Sequence, residues 1–294
     1  MFENFQHAQI AVSGAVINVR HGGSGPPLLL LHGFPQTHVI WHKIADRLAR
    51  HFTLVMPDLR GYGDSSKPPG AADHANYSKR AMALDMVEVM QALGHQRFHL
   101  CGHDRGGRVA HRLALDHPLA VEKLMLIDIS PTRTMYEATD MRFATMYYHW
   151  FLLIQPAPVP ETLIGNSAQF ILERTLGGWG SDGASFIDAE ARAEYERCFC
   201  RPEAIHAACE DYRAAATIDL EHDRDHDVRR IAAPTRVVWG EFGVVAKLFD
   251  PLADWQSKCE QEVSGKGMPA GHFLPEQVPD LLLAEMMMFF SGHA

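Results

Sequence analysis

Between a short apolar run, Arg97-Phe98-His99-Leu100-Cys101, and a helical pattern from Val109 to His117, the chain reads Gly102-His103-Asp104-Arg105-Gly106-Gly107-Arg108. Pro118 closes the helical pattern. Small residues two before and two after a central side chain, at a strand-to-helix joint, are the geometry of a nucleophile elbow. The usual occupant is Ser; here it is Asp104. That exchange moves the expected chemistry from acyl transfer to displacement at saturated carbon.

The joint requires a parallel sheet around it, and the chain supplies the strands. Gln9 to Arg20 alternates apolar and polar residues around Ser13-Gly14, which predicts a β-hairpin. Pro27-Leu28-Leu29-Leu30-Leu31 suits a strand buried on both faces and ends at His32-Gly33-Phe34-Pro35. Trp41 to Ala49 has helical spacing, Phe52 to Met56 reads as a strand, and Asp58 to Ser66 as a glycine-rich loop. Tyr77 to Leu93 is a long amphipathic helix stopped by Gly94. Leu124 to Ile127 is a further strand that ends in Asp128. Strands and helices in this alternation imply an α/β fold, a mostly parallel sheet flanked by helices.

The pattern changes after Pro131. From about Thr134 to Ala216 no buried strand is visible, and aromatic-rich helical stretches appear at Met141 to Phe151, Ala189 to Phe199 and Ala204 to Arg213. Between them lie Gln155-Pro156-Ala157-Pro158-Val159-Pro160 and Gly177-Gly178-Trp179-Gly180. Thr235 to Gly240 resumes the sheet, a weaker strand is expected near Gln261 to Ser264, and the last helix spans Val278 to Phe290. The expected organisation is a core of residues 1–133 and 217–294 with a helical cap, 134–216, inserted over the active site. The run Glu221-His222-Asp223-Arg224-Asp225-His226-Asp227 has mixed charge and reads as a solvated connector, not a metal site.

Composition narrows the function. A net charge of 27 − 36 = −9 argues against nonspecific nucleic-acid binding and against an anionic membrane surface. Five cysteines at irregular spacing give no disulfide framework and no zinc pairing, so reduced thiols in a cytoplasmic protein are expected. Met1 to Ile10 lacks the basic start and apolar run of a signal peptide.

Asp104, Asp128 and His272 follow one another in the order nucleophile, acid, histidine, each just past an expected strand. A carboxylate is ionised near neutral pH and attacks carbon without a base, leaving an alkyl ester. Hydrolysis of that ester needs a histidine to activate water, the role expected of His272, oriented by Asp128 or another acid. The backbone N–H groups of Phe34 and Arg105 are the expected oxyanion donors. No metal or organic cofactor is expected.

His32-Gly33-Phe34-Pro35, Asp58-Leu59-Arg60-Gly61-Tyr62-Gly63 and Gly102 to Arg108 resemble the α/β-hydrolase fold, and more narrowly the fluoroacetate (haloacetate) dehalogenases. The resemblance extends to Tyr148-His149-Trp150 and Asp211-Tyr212-Arg213. Related haloalkane dehalogenases and epoxide hydrolases usually carry Trp after the nucleophile; here Arg105 stands there, with Arg108 three residues on. Positions i and i+3 share a helix face, so two guanidinium groups can clamp one carboxylate. Each charge-assisted hydrogen bond is worth about 1.5–3 kcal/mol. The resemblance implies a small haloacid anion as substrate, fluoride or another halide held by His149, Trp150 and Tyr212, and a homodimer. It favours Asp128 as the acid, with Glu241 and Asp250 as alternatives. A second reading is an epoxide hydrolase with Tyr148 and Tyr212 as alkoxide donors. A third is a non-catalytic ligand-binding module on the same fold.

Overall fold

Leu28, Leu29, Leu30 and Leu31 are fully buried, as aliphatic residues must be in a strand covered on both faces. In the computed structural model, which describes residues 1–292, they lie in the third of eight strands. The strands are β1 (Gln6–Val12), β2 (Ala15–Gly23), β3 (Pro27–Leu31), β4 (Thr53–Pro57), β5 (Phe98–His103), β6 (Val121–Ile127), β7 (Thr235–Gly240) and β8 (Ser264–Met268). They form one sheet in the order β1-β2-β4-β3-β5-β6-β7-β8. The hairpin β1–β2 and the pair β2–β4 are antiparallel; every other pair is parallel. This is the mostly parallel α/β sheet that the strand-helix alternation implies. Strand order reverses between β3 and β5, so the crevice beyond their C-terminal ends is where such a sheet takes its ligand.

The helices of the core are α1 (Ala45–Leu48), α2 (Lys79–Ala92) and α3 (Arg105–Asp116). Between β6 and β7 the chain holds only helices: α4 (Thr132–Glu137), α5 (Met141–Met146), α6 (Tyr148–Leu153), α7 (Val159–Gly165), α8 (Ala168–Leu176), α9 (Ala189–Phe199), α10 (Pro202–Ala216) and α11 (Ile218–Asp225). After β7 come α12 (Val244–Leu248), α13 (Pro251–Gln256), α14 (Leu274–Gln277) and α15 (Pro279–Ser291). Among the described residues no helix is long and apolar enough to cross a membrane, and all five cysteines are free thiols.

Four local expectations are corrected. The strand expected at Gln261 to Ser264 is displaced to Ser264–Met268. There Gly265 and Gly267 alternate along the ladder with β7 because their Cβ positions are occupied by Val237 O and the Glu241 side chain. The single helix expected from Met141 to Phe151 breaks at Tyr147, which leaves helical backbone (φ −114°, ψ 39°) and buries its ring. The helical spacing from Trp41 to Ala49 resolves into a 3₁₀ turn at His38–Trp41 and the single turn α1. Finally, the connector run from Glu221 partly belongs to α11 and is anchored rather than merely solvated: Arg112 on α3 donates to Asp223 Oδ1 (2.5 Å) and approaches His226 Nδ1 (2.9 Å). The helical stretch thus runs from Thr132 to Asp225, beyond both ends of the expected 134–216.

The elbow itself depends on absent side chains. A Cβ on Gly106 would meet His32 O at 2.3 Å, and one on Gly102 would meet Gly106 O at 2.5 Å. These contacts bring α3 against the ends of β3 and β5. Gly106→Ala is therefore expected to destabilise the fold by about 1–3 kcal/mol or more through overpacking, read as a lower urea midpoint. An unchanged midpoint would contradict this close approach.

Candidate active site

β5 ends at His103, and the next residue, Asp104, sits in the left-handed region at φ 48°. A non-glycine residue there is strained and held only by its surroundings. Asp104 does not cap α3 with its side chain. Its Oδ1 instead accepts from the backbone N–H of Phe34 at 2.8 Å. A Cβ on Gly33 would fall 2.4 Å from Asp104 Cβ, so the loop after β3 can deliver Phe34 only because residue 33 is glycine. The Arg105 N–H, at the first position of α3, has no intrahelical partner by position.

The other carboxylate oxygen, Asp104 Oδ2, lies 3.8 Å from His272 Nε2. This is too far for a hydrogen bond, so the oxygen is not tied down by the imidazole. On the opposite side of the ring, His272 Nδ1 is 2.5 Å from Asp128 Oδ2. Since the carboxylate only accepts, Nδ1 carries a proton, and Nε2 is the ring nitrogen that faces Asp104. Asp128 follows β6 with φ 51°, and its Oδ1 accepts from Gly240 N–H at 2.9 Å, which fixes the carboxylate against β7. Of the three candidate acids, Asp128 is thus the one brought to His272. Asp250 caps α13 through Ala253 N–H, and Glu241 is exposed beside β8. His103 donates from Nε2 to the His272 carbonyl (2.9 Å) and His32 Nε2 accepts from Leu59 N–H (3.0 Å), so both brace the loops.

Two buried guanidinium groups stand beside Asp104. Arg105 is fully buried, and Asp211 on α10 takes its Nε (2.9 Å) and Nη2 (2.8 Å). Its Nη1 has no partner. Arg108 is 3% exposed and donates from Nη1 to Ser130 O (3.1 Å) and Thr132 Oγ1 (2.9 Å). Among the described residues it has no carboxylate partner, and its Nε is unpaired. The arrangement differs from two free clamps: one arginine already holds an acid, the other holds none. Tyr212 covers Arg105 at 4.1 Å and Trp150 covers Arg108 at 4.7 Å, ring centroid to Cζ.

His149, Trp150 and Tyr212 come together from α6 and α10, with His149 and Tyr212 rings 5.7 Å apart and Trp150 and Tyr212 rings 6.3 Å apart. Buried polar atoms without partners cluster here: Arg105 Nη1, Arg108 Nε, His149 Nδ1, Tyr212 OH and His272 Nε2. Such concentration is unusual in a folded interior and marks a place prepared for polar guests. Tyr148, in contrast, is 43% exposed and is not paired with Tyr212 as an alkoxide donor.

The electrostatics follow from burial and charge. Burial alone would raise the Asp104 carboxyl, but the imidazoles of His272 and His103 and the cations of Arg105 and Arg108 outweigh it and leave it below its ordinary value. Burial lowers the Arg108 guanidinium, and Arg105 lowers it further. Burial pushes His149 down to about 3 despite Asp104, so the ring is neutral in use. Tyr212 is raised by burial and by Asp104, and keeps its proton to donate.

The family model for the alpha/beta hydrolase fold matches residues 26–277. The chain belongs to the alpha/beta hydrolase family. Within it, the chain is 48% identical over 280 residues to a fluoroacetate dehalogenase of Burkholderia sp, covering 95% of this chain and 92% of that one. A soluble epoxide hydrolase of Corynebacterium sp. (strain C12) is 31% identical over 295 residues, with 99% of each chain covered. A crystal structure from Nostoc sp PCC 7120, described as an alpha/beta hydrolase, superposes with a TM-score of 0.97 at 54% identity over 100% of both chains.

Sequence reasoning missed three parts of this alpha/beta hydrolase site. Trp179 reads in the sequence only as part of a glycine-rich separator, yet its ring lies 4.4 Å from His149 and 5.1 Å from His272, and its carbonyl accepts from His272 N–H at 3.1 Å. An aromatic residue isolated among glycines was the available signal. Lys79 gave none, and Asp211, although it lies in the run Asp211-Tyr212-Arg213, carried no sign of its bonds to Arg105 and Lys79, because these partners are distant in sequence.

The buried histidines set a pH dependence. His111, against Trp255 on the far side of α3, is pushed down to about 4 by burial. Between the unfolded value near 6.5 and that folded value, the unfolded chain binds the extra proton. The contribution is therefore complete above about pH 6.5 and is lost, at about 1.4 kcal/mol per unit, as pH falls toward 4. Asp85, raised to about 6 by burial, contributes with the opposite sign, so the difference between two proteins is the informative quantity. His111→Leu is expected to flatten the fall in urea stability between pH 6 and 4.5 by about that slope. Parallel curves for the two proteins would contradict it.

Proposed function

We propose that the chain hydrolyses the carbon–halogen bond of small 2-haloacid anions, fluoroacetate and chloroacetate being the simplest, to glycolate and halide. The observation that carries this reading is Arg108, a buried guanidinium with no acid partner, close enough to lower the Asp104 carboxyl. A cation kept dry is costly unless an anion joins it, and a substrate carboxylate supplies one. The donors left for it are Arg108 Nε and Arg105 Nη1. A neutral epoxide offers them an acceptor oxygen but no negative charge.

In this reaction Asp104 Oδ2 attacks the α-carbon, the carbon–halogen bond breaks, and halide departs toward His149, Trp150 and Tyr212. Fluoride leaves poorly because its compact charge is strongly hydrated. Donors in a dry pocket replace that hydration. The product is a glycolyl ester on Asp104. Its carbonyl oxygen is Oδ1, already held by Phe34 N–H, with the Arg105 N–H as the second oxyanion donor. Water, losing a proton to His272 Nε2, attacks the Asp104 carboxyl carbon; the ester C–O bond breaks, the glycolate oxygen takes that proton back from His272, and the Asp104 carboxyl releases the second water proton to solvent, which regenerates the aspartate. Asp128 orients the ring and stabilises its protonated form. The helices 134–216 act as the cap that keeps the site dry. The protein is further proposed to be a cytoplasmic homodimer.

Two experiments test the reading. Incubation with fluoroacetate, chloroacetate and a neutral epoxide should release halide from the acids and no diol from the epoxide; diol without halide would sink it. His272→Ala should accumulate a substrate-derived adduct on Asp104 visible by mass spectrometry, and a folded, substrate-binding variant with no adduct would count against the covalent route. Separately, Arg108→Gln is expected to reduce kcat/KM for chloroacetate by about 10²-fold, the equivalent of one or two charge-assisted hydrogen bonds. A change under about threefold would remove Arg108 from substrate binding.

A further inference from the structure

Five buried groups from both parts of the fold converge beneath Arg105. Tyr62 comes from the loop after β4, Lys79 from the start of α2, Arg105 from the start of α3, Asp211 from α10 and Asp219 from α11. Asp211 is fully buried, and its carboxylate is saturated. Oδ2 accepts from Arg105 Nε at 2.9 Å and from the Tyr62 hydroxyl at 2.6 Å. Oδ1 accepts from Arg105 Nη2 at 2.8 Å and from Lys79 Nζ. The Asp211 carbonyl takes a further bond from Nη2, at 2.9 Å. Lys79 is held from its other side by Asp219, whose Oδ1 accepts the Lys79 backbone N–H at 2.8 Å.

The fork geometry decides what Arg105 can do. A guanidinium presents its five donors in a rigid plane, and a bidentate carboxylate fixes that plane. With Nε and Nη2 taken by Asp211, only Nη1 remains. The next residue, Tyr212, covers the face of the same plane, so one turn of α10 sets both its direction and its surroundings. Without Asp211, Arg105 would have a nearer anion than any substrate: Asp104, its neighbour in the chain. Pairing there would occupy the attacking oxygen and remove a donor from the substrate. In the structure Arg105 and Asp104 make no hydrogen bond to each other.

We propose that Asp211 is a positioning residue: it holds Arg105 off the nucleophile and leaves Nη1 as the single donor offered to the substrate carboxylate. The proposal rests on the haloacid reading of the site. Lys79 and Tyr62 serve Asp211, Lys79 by balancing its charge and Tyr62 by filling its remaining acceptor site. None of the three touches substrate.

Asp211→Asn alone would leave two buried cations, Arg105 and Lys79, with Asp219 as their one acid, so the working variant is Lys79→Met/Asp211→Asn, which removes one charge of each sign. Tyr62→Phe, which changes no charge, is its companion where the double variant does not fold. Each is compared with the wild type in chloride release from chloroacetate and from neutral chloroacetamide, and in glycolate binding by calorimetry. Loss of one charge-assisted hydrogen bond corresponds to about ten-fold in affinity. The double variant should show that rise in chloroacetate KM and in glycolate Kd; kcat falls on both substrates where Arg105 engages Asp104, but kcat/KM for chloroacetamide falls less, so that the preference for acid over amide falls. Tyr62→Phe should move the same ratio in the same direction by about three-fold, as for a single lost hydrogen bond. A merely structural role would lower activity on both substrates together and leave the ratio and the glycolate Kd unchanged; that result, in whichever variant folds, overturns the proposal. A wild type that binds glycolate but releases no halide overturns the haloacid reading instead, and the glycolate comparison still decides the role of Asp211. A wild type that binds no carboxylate overturns both.

Discussion

A guanidinium taken out of water needs an anion beside it, and the site is built around how that need is met. Arg105 is neutralised by the protein itself through Asp211, which Lys79 and Asp219 balance in turn. Arg108 is not neutralised by any carboxylate bonded to it. Its charge is set against Asp104 and against whatever anion enters. The resting site therefore combines an ionised carboxylate, Asp104, with an unfilled demand for negative charge. In the proposed reaction the same imbalance selects the substrate and keeps the Asp104 carboxylate ionised, which nucleophilic attack requires.

The scaffold makes this possible by placing the charges where the backbone already provides donors. At the reversal of strand order between β3 and β5, the Phe34 N–H points at one Asp104 oxygen and leaves the other free. The reacting edge is assembled from three strand ends, with Asp104 after β5, Asp128 after β6 and His272 after β8. Both acids occupy left-handed backbone, a strain of about 1–3 kcal/mol each that the surrounding sheet sustains. The helices between β6 and β7 bring what the sheet lacks: neutral aromatic donors at His149, Trp150 and Tyr212, and the acid that holds Arg105.

Much of this could be read in the sequence because it is local. The elbow glycines, the aliphatic run of β3, and the Asp128 that ends β6 each carry their reason within a few residues. Adjacent spacing also placed Arg105 and Arg108 on one turn of α3. Their division of labour was not legible, since it depends on Asp211, separated from Arg105 by 106 positions. Trp179 escaped for a related reason: its glycine surroundings look like a linker, and only packing against His149 and His272 gives it a place. The edge strand β8 reversed the usual signal, because Gly265 and Gly267 weaken strand propensity where the ladder with β7 has no room for side chains. The break of the first aromatic helix at Tyr147 likewise follows from tertiary burial of one ring and not from local propensity.

In the proposed reaction Asp104 itself bonds to the substrate carbon, and water attacks the aspartyl carbon afterwards. A single turnover of chloroacetate in oxygen-18 water, with enzyme in excess, tests this directly. The first glycolate formed should carry no label, and the label should appear in the peptide containing Asp104. Label in the glycolate, with an unlabelled Asp104 peptide, would mean that water attacked the substrate and would contradict it.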